Sequence, residues 1–163
     1  MASRAASDHP EQRGCDDIAW TSFPECPAGV PALLRGLLDP VAAREAGRVL
    51  CIVLTDSPFS MGPAMPAALP FLLRLAADPA VPVRAELVEV LLVVAELLHP
   101  VDGGSEQAIR FRGSDRDHPE HALCRAVFAE HADLVRGLLD DRTLPEELIP
   151  PDERRSLLTV ATP

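Results

Sequence analysis

The segment LLRGLLD at Leu33–Asp39 recurs almost unchanged as LVRGLLD at Leu134–Asp140, with six of seven residues identical. A related segment, LLRLAAD at Leu72–Asp78, begins 39 residues after the first copy. Internal similarity at a period of about 40 residues is typical of stacked helix pairs, because each pair buries its apolar face against the next. The sequence therefore predicts an all-α fold built from antiparallel helix pairs.

Helix boundaries follow from the spacing of apolar residues and from the prolines between segments. From Val30 onward, apolar residues recur with the i, i+3, i+4 spacing of a helix, and Asp39-Pro40 ends it. The same criteria predict helices at about 41–55, 66–77, 83–99, 119–139 and 152–160. The helix at 83–99 is apolar on most of its sides, so we expect it to lie at the centre of the fold.

The chain divides into an N-terminal tail and cap, residues 1–29, and a helical repeat domain, residues 30–163. The second copy of the repeat ends at Asp78, 39 residues after the end of the first. The third ends at Asp140, which is 62 residues after Asp78. The extra residues fall at about 100–118, a stretch with two adjacent glycines and many charges, which we interpret as a loop insertion. The pattern thus comprises two full repeats and a partial third.

The second unit resembles a HEAT repeat. Its first helix ends in Asp78 and its second begins with Val83-Arg84, the positions at which that family places its Asp and its Val-Arg pair. The first unit departs from this pattern, because Arg44 follows Asp39 by five residues instead of six, and the third lacks a Val-Arg pair. The chain also resembles short HEAT-like proteins of actinobacterial type, which carry a similar Pro-rich linker. The resemblance implies an antiparallel helix-pair solenoid that binds proteins.

Each copy of the repeat carries an arginine four residues before its final aspartate. Side chains at i and i+4 are neighbours on a helix surface, so we expect weak local ion pairs at these positions. The pairs would join Arg35 to Asp39, Arg74 to Asp78 and Arg136 to Asp140.

The chain is acidic, with a net charge of −10, and all 15 of its cationic side chains are arginines. Such a chain repels phosphate backbones and anionic membrane surfaces, which argues against nucleic acid and membrane partners and favours a protein with a basic surface. The N-terminus has no apolar signal-peptide segment, so we expect the four cysteines to be reduced and the protein to be cytoplasmic.

No pattern in the sequence indicates catalysis or a cofactor. There is no nucleophile elbow, and Gly103-Gly104 lacks the Lys-Ser/Thr that completes a phosphate-binding loop. His118, His121 and Cys124 are ligand-type residues, but steps of three drift around a helix, and no second ligand pair has a suitable spacing. We therefore expect no metal site, no cofactor and no enzymatic activity.

One candidate binding site is a stripe of carboxylates on the fourth helix. Glu86, Glu89 and Glu96 share one face of that helix, and the second helices of a HEAT-like solenoid line its concave side. The stripe either forms an acidic groove for a basic partner or pairs with Arg44 and Arg48 of the neighbouring helix. The first interpretation predicts a protein-binding module, such as an acidic immunity or inhibitor-type protein that blocks a basic partner.

The alternative site lies near the loop at 58–65, which is rich in proline and bulky apolar side chains. Phe59, Met61 and Met65 are its candidate ligand-binding residues. This interpretation predicts a small-molecule-binding or biosynthetic accessory protein.

Overall fold

A computed structural model describes residues 9–57, 60–99 and 117–162 of the chain. This part is mostly helical, which confirms the predicted all-α class. Its α-helices are α1 (Val30–Gly36), α2 (Ala43–Leu54), α3 (Met65–Ala77), α4 (Arg84–Leu97), α5 (Pro119–Glu130), α6 (Ala132–Asp140) and α7 (Pro151–Val160). The predicted insertion at 100–118 lies, apart from its last two residues, outside the described residues.

Two predicted segments differ from the structure. The prediction of a single helix at 119–139 is wrong, because the helix is interrupted at His131 (φ −104°, ψ 25°). The Nδ1 atom of this histidine lies 3.0 Å from the Val127 carbonyl oxygen. The segment between α2 and α3, expected to be a loop, contains two short antiparallel strands, β1 (Thr55–Ser57) and β2 (Ser60–Met61). These strands extend the C-terminal end of α2.

Two glycines allow close backbone approach along α2. The N–H of Gly62 donates a 2.8 Å hydrogen bond to the Leu54 carbonyl, and a Cβ on this glycine would lie 3.2 Å from the same oxygen. A Cβ on Gly36 would come within 2.8 Å of the Ala46 methyl carbon, so α1 and α2 pack closely only because residue 36 has no side chain.

The helices pack in pairs, with α1 against α2 and α3 against α4. On its other side α3 contacts α5 and α6, while α4 contacts α7, and α2 also contacts α4. Along α4 only Glu86, Glu89, Val93 and Glu96 are exposed, whereas Leu91 is completely buried. Neighbouring helices therefore cover most sides of α4, as its apolar sequence predicts, and α3, which has no exposed residue, is buried more completely.

An aspartate shapes the turn that follows the first helix of each pair. Asp39 and Asp78 each accept a 2.8 Å hydrogen bond from the backbone N–H two residues later. In the third unit Asp141 makes this contact, with the N–H of Thr143 at 2.8 Å, and Asp140 does not. In the third unit the turn-forming aspartate therefore lies one residue later than the alignment of the three repeat copies predicts.

The i, i+4 ion pairs predicted for the repeat arginines are wrong. The first two aspartates direct their carboxylates at the backbone of the following turn, and the third pairs with Arg154 at 3.2 Å. The repeat arginines bind elsewhere: Arg35 to Asp16 at 3.0 Å, Arg136 to Asp133 at 2.7 Å, and Arg74 to the Pro70 carbonyl at 3.0 Å and over the Phe71 ring.

Arg84 connects the second helix pair to the segment after α6. Its Nε donates to the Ala76 carbonyl at 2.7 Å, one Nη donates to the Thr143 hydroxyl at 2.8 Å, and the other forms an ion pair with Asp141. The Arg84 side chain is 8% exposed. Hydrogen bonds from Arg84 and Thr143 lower the pKa of Asp141 to about 2, so the pair stays charged near neutral pH.

Residues from His9 onward pack on the helices instead of forming a free tail. The Gln12 side chain donates a 2.6 Å hydrogen bond to the Leu34 carbonyl, and the Trp20 indole N–H donates to the Cys15 carbonyl at 2.8 Å. Trp20 is 3% exposed. The segment at 9–29 therefore shares the core of the helical domain.

The four cysteines are free thiols, and burial raises the pKa of each, in the case of Cys124 to about 12. Within the described ranges, no helix combines the length and the apolar character needed to cross a bilayer.

Candidate binding groove

A groove of about 520 Å³ runs between α2 and α4. Its walls are overwhelmingly apolar, and several of the side chains that line it belong to the buried core. Among these buried lining residues are Leu50, Leu54, Met61, Met65, Leu72, Leu87 and Val94. A concave apolar surface of this size is the usual form of a binding site.

Part of the α2 wall of the groove consists of small residues. Ala43, Gly47 and Cys51 are spaced by four residues, so they form one row along the helix, and all three line the groove. The facing side of α4 carries larger groups such as Val90 and Val93. Side chains this short on α2 do not reach across to α4, and the space between the helices remains open at the surface.

The rim of the groove carries four of the charged residues singled out from the sequence. Arg44, Arg48, Glu86 and Glu89 all line it. Arg48 forms a two-pronged ion pair with Glu45 on its own helix, at 2.6 and 2.8 Å, and this contact lowers the pKa of the Glu45 carboxyl. Arg48 is therefore not the partner of the α4 stripe.

The stripe itself is split between two surroundings. The Arg44 guanidinium lies 3.8 Å from Glu86 across the groove, with both side chains well exposed. Glu89 forms no ion pair with any residue that the structure describes. Glu96 does not line the groove, and it accepts a 3.4 Å hydrogen bond from Ser156 of α7. The carboxylate face is thus only partly neutralised by the neighbouring helix.

The two described residues of the alternative candidate site line the same groove. Met61 and Met65 line the end closest to the two strands, and both are at most 1% exposed. Phe59 lies outside the described residues. The structure therefore brings two candidate sites that are separate in the sequence, one charged and one apolar, to the same groove.

Sequence reasoning missed Cys51, Val90 and Val93 as residues of the groove. The row of small residues at i, i+4 and i+8 on α2 is the signal that would have indicated it, because such a row leaves space beside a facing helix. Val93 is 54% exposed, so the groove continues onto an apolar surface of α4.

The chemistry of the groove suits binding of an apolar surface. Cys51 is its most reactive group, and burial raises the pKa of that thiol, which keeps it protonated and weakly nucleophilic. The charged side chains of the lining lie at the rim of the groove. Polar contacts there would orient an occupant, whereas the apolar walls would supply most of the binding energy.

No protein-family model matches the chain, and neither the curated proteins nor the solved structures provide a match. Inference about function therefore rests on the groove and on the charges around it.

Proposed function

We propose that this chain is a non-catalytic, HEAT-like helical repeat protein that binds another protein through the groove between α2 and α4. The observation that carries the proposal is an open apolar groove bordered on α4 by exposed carboxylates. The partner that fits is an amphipathic helix with basic side chains along one edge. An acidic immunity or inhibitor-type protein that blocks a basic partner would act in this way.

The packing of the helices supports the solenoid interpretation. α6 and α7 contact each other and lie against α3 and α4 respectively, as a third helix pair in a stack would. Arg84 bonds to the turn between them through Asp141 and Thr143. In a stack of such pairs, second helices lie side by side, which would place α2, α4 and α7 along one surface.

The shape and charge of the groove favour a helix as occupant. A cleft between two helices, with apolar walls, is a common docking site for the apolar face of a partner helix. Exposed apolar surface such as that of Val93 is costly to leave in water, and a docked helix would cover it. The carboxylates of Glu86 and Glu89 would lie beside that helix and select basic side chains.

A second candidate is binding of a small apolar molecule. The groove volume of about 520 Å³ is within the usual range for small-molecule sites. Met61 and Met65 line the groove, and methionine side chains adapt readily to the shape of a ligand. The accessory-protein interpretation rests on this part of the groove.

The test begins with capture of the partner from the source organism, followed by measurement of its binding with purified proteins. Replacing Glu86, Glu89 and Glu96 together with Gln removes three charges while it preserves side-chain size. At low salt we expect association to slow by about tenfold, with a smaller dependence on ionic strength. The matched control is Glu130, Glu146 and Glu147 replaced with Gln, because these exposed residues change the net charge equally away from the groove.

Equal effects of the two triple variants would contradict the proposal, since only overall charge would then matter. If the α4 variant loses thermal stability but keeps its partner affinity, the carboxylates serve only to neutralise arginines. The accessory-protein alternative would be favoured instead if native mass spectra of the purified protein show a bound small molecule that is lost in Met65→Trp.

A further inference from the structure

A cluster of three ligand-type side chains lies at the start of α5, away from the groove. His118 precedes the helix, and Pro119 at its first position sets the backbone so that Glu120 and His121 follow in the first turn. The His118 Nδ1 is 2.8 Å from Glu120 Oε1, and the rings of His118 and His121 stack with centroids 5.2 Å apart. One ligand atom from each of the three residues lies within 4.8 Å of the others.

Burial distinguishes this cluster from an ordinary surface ion pair. Glu120 is 8% exposed and His121 is 9% exposed, and these two are half of the four buried polar or charged residues in the described part of the chain. Glu120 has the His118 ring as its partner, and burial holds this carboxylate and the two imidazoles close together. The His118 side chain is 32% exposed, which leaves one side of the cluster open to solvent.

We propose that His118, Glu120 and His121 bind a divalent transition-metal ion, with zinc as the best match. Two imidazoles and one carboxylate are a donor set that zinc uses with an open fourth position for water. Ligand atoms about 2.0–2.2 Å from a tetrahedral ion are about 3.4 Å apart, so binding would draw the three ligand atoms closer together and turn the two stacked rings toward a common point.

Glu120 is the residue on which affinity depends most. The N-terminal end of a helix carries partial positive charge and disfavours a cation, and the two imidazoles contribute no negative charge. The carboxylate must therefore offset both the ion and the helix end. Cys124, the third residue of the pattern seen in the sequence, is completely buried, and its sulfur does not belong to the cluster.

The direct test uses the full wild-type chain, freed of metal with a chelator, reduced, and titrated with zinc chloride. We expect one equivalent to bind and to raise the melting temperature, because an ion that binds only the folded state stabilises it. X-ray absorption of the zinc-loaded protein should show only nitrogen and oxygen neighbours. Sulfur at about 2.3 Å, the zinc–thiolate distance, or no bound equivalent, would overturn the proposal.

Substitutions then assign the site. His118→Gln and Glu120→Gln should each weaken zinc binding at least tenfold, since even residues that only support a ligand commonly contribute that much. His131→Gln is the matched control, because this half-buried histidine hydrogen bonds to a carbonyl outside the cluster. Cys124→Ser should also bind normally. Wild-type affinity in His118→Gln, whose side chain is the least buried of the three, would refute the assignment even if Glu120→Gln fails to fold.

Discussion

The two sides of α4 differ sharply, although similar sequence repeats supply the helices next to them. Toward α2 the interface is open, because a row of small side chains leaves a groove. Toward the third unit it is closed, with Leu157 and Val160 of α7 buried and Arg84 bonded to the following turn. Repetition of sequence therefore determines that helices pair, whereas the size of the facing side chains determines whether a seam between pairs closes.

The largest effect is expected at Leu91, because it lies in the middle of α4 and is completely buried. Leu91→Ala should lower the free energy of unfolding by roughly 2–5 kcal/mol, measured by chemical denaturation. Val93→Ala on the exposed surface of the same helix is the control. A loss of less than about 0.5 kcal/mol for Leu91→Ala, the level of a surface change, would show that α4 is not the centre of the core.

The next largest effect is expected from one of the two ion pairs that join α4 to a neighbouring unit, Arg84–Asp141 and Arg44–Glu86. Arg84→Ala should destabilise the protein by about 3 kcal/mol, because it removes a buried cationic side chain, the donor to the Ala76 carbonyl and the ion-pair partner of Asp141. Arg44→Ala breaks an exposed 3.8 Å contact across the groove and should cost no more than about 1 kcal/mol. Thermal unfolding of the two variants side by side measures the difference, and equal losses would mean that the closed seam is not stabilised by Arg84.

A smaller effect should appear as a pH dependence of the closed seam. The pKa of Asp141 is about 2 in the folded protein, compared with about 3.9 for an aspartate in an unfolded chain. Its contribution to stability is therefore complete above about pH 4 and is lost as the pH falls from 4 toward 2. Asp141→Asn should flatten the stability profile in this window, measured by urea unfolding at each pH.

The control for that profile is Asp133→Asn, which removes an exposed carboxylate paired with Arg136 on the surface of α6. This variant should retain the wild-type slope between pH 4 and 2. If both variants flatten the curve equally, the acid sensitivity belongs to the whole acidic surface and not to the Arg84 network.

The smallest effect on stability is expected in the open seam. Val93→Ser replaces an exposed apolar side chain at the groove and should change the free energy of unfolding by less than about 0.5 kcal/mol. Its effect should appear instead in binding, as faster dissociation of the captured partner. Unchanged dissociation would place the docking surface somewhere other than this groove.

Most helices were predictable because their signals are local. The apolar spacing, the prolines at first helical positions and the turn-forming aspartates act within a few residues, so α1 to α4 appear close to their predicted places. The break at His131 was not predicted, because the flanking residues continue a helical pattern and the sequence there contains neither proline nor glycine. Similarly, choosing Asp141 over Asp140 requires the turn itself, since Asp140 ends the repeat and a second aspartate follows it directly.

The candidate sites depended more strongly on tertiary structure. The sequence identified Glu86 and Glu89 on one helix face and Met61 and Met65 in a separate segment, as rival sites. Only packing of α2 beside α4 brings all four to one groove. Likewise, regular spacing suggested Cys124 with His118 and His121, whereas the first turn of α5 places Glu120 beside the two histidines.

The sequence by itself thus determined the helical class, the pairing of neighbouring helices and the acidic character of the chain. These properties follow from short-range spacing and from a sum of charges, neither of which requires knowledge of distant contacts. Tertiary structure decided which seam stays open and which residues share a site, because both depend on side chains that are far apart in sequence. Whether a small side chain leaves a groove depends on the helix that faces it. A ligand set forms only where backbone turns bring its members together.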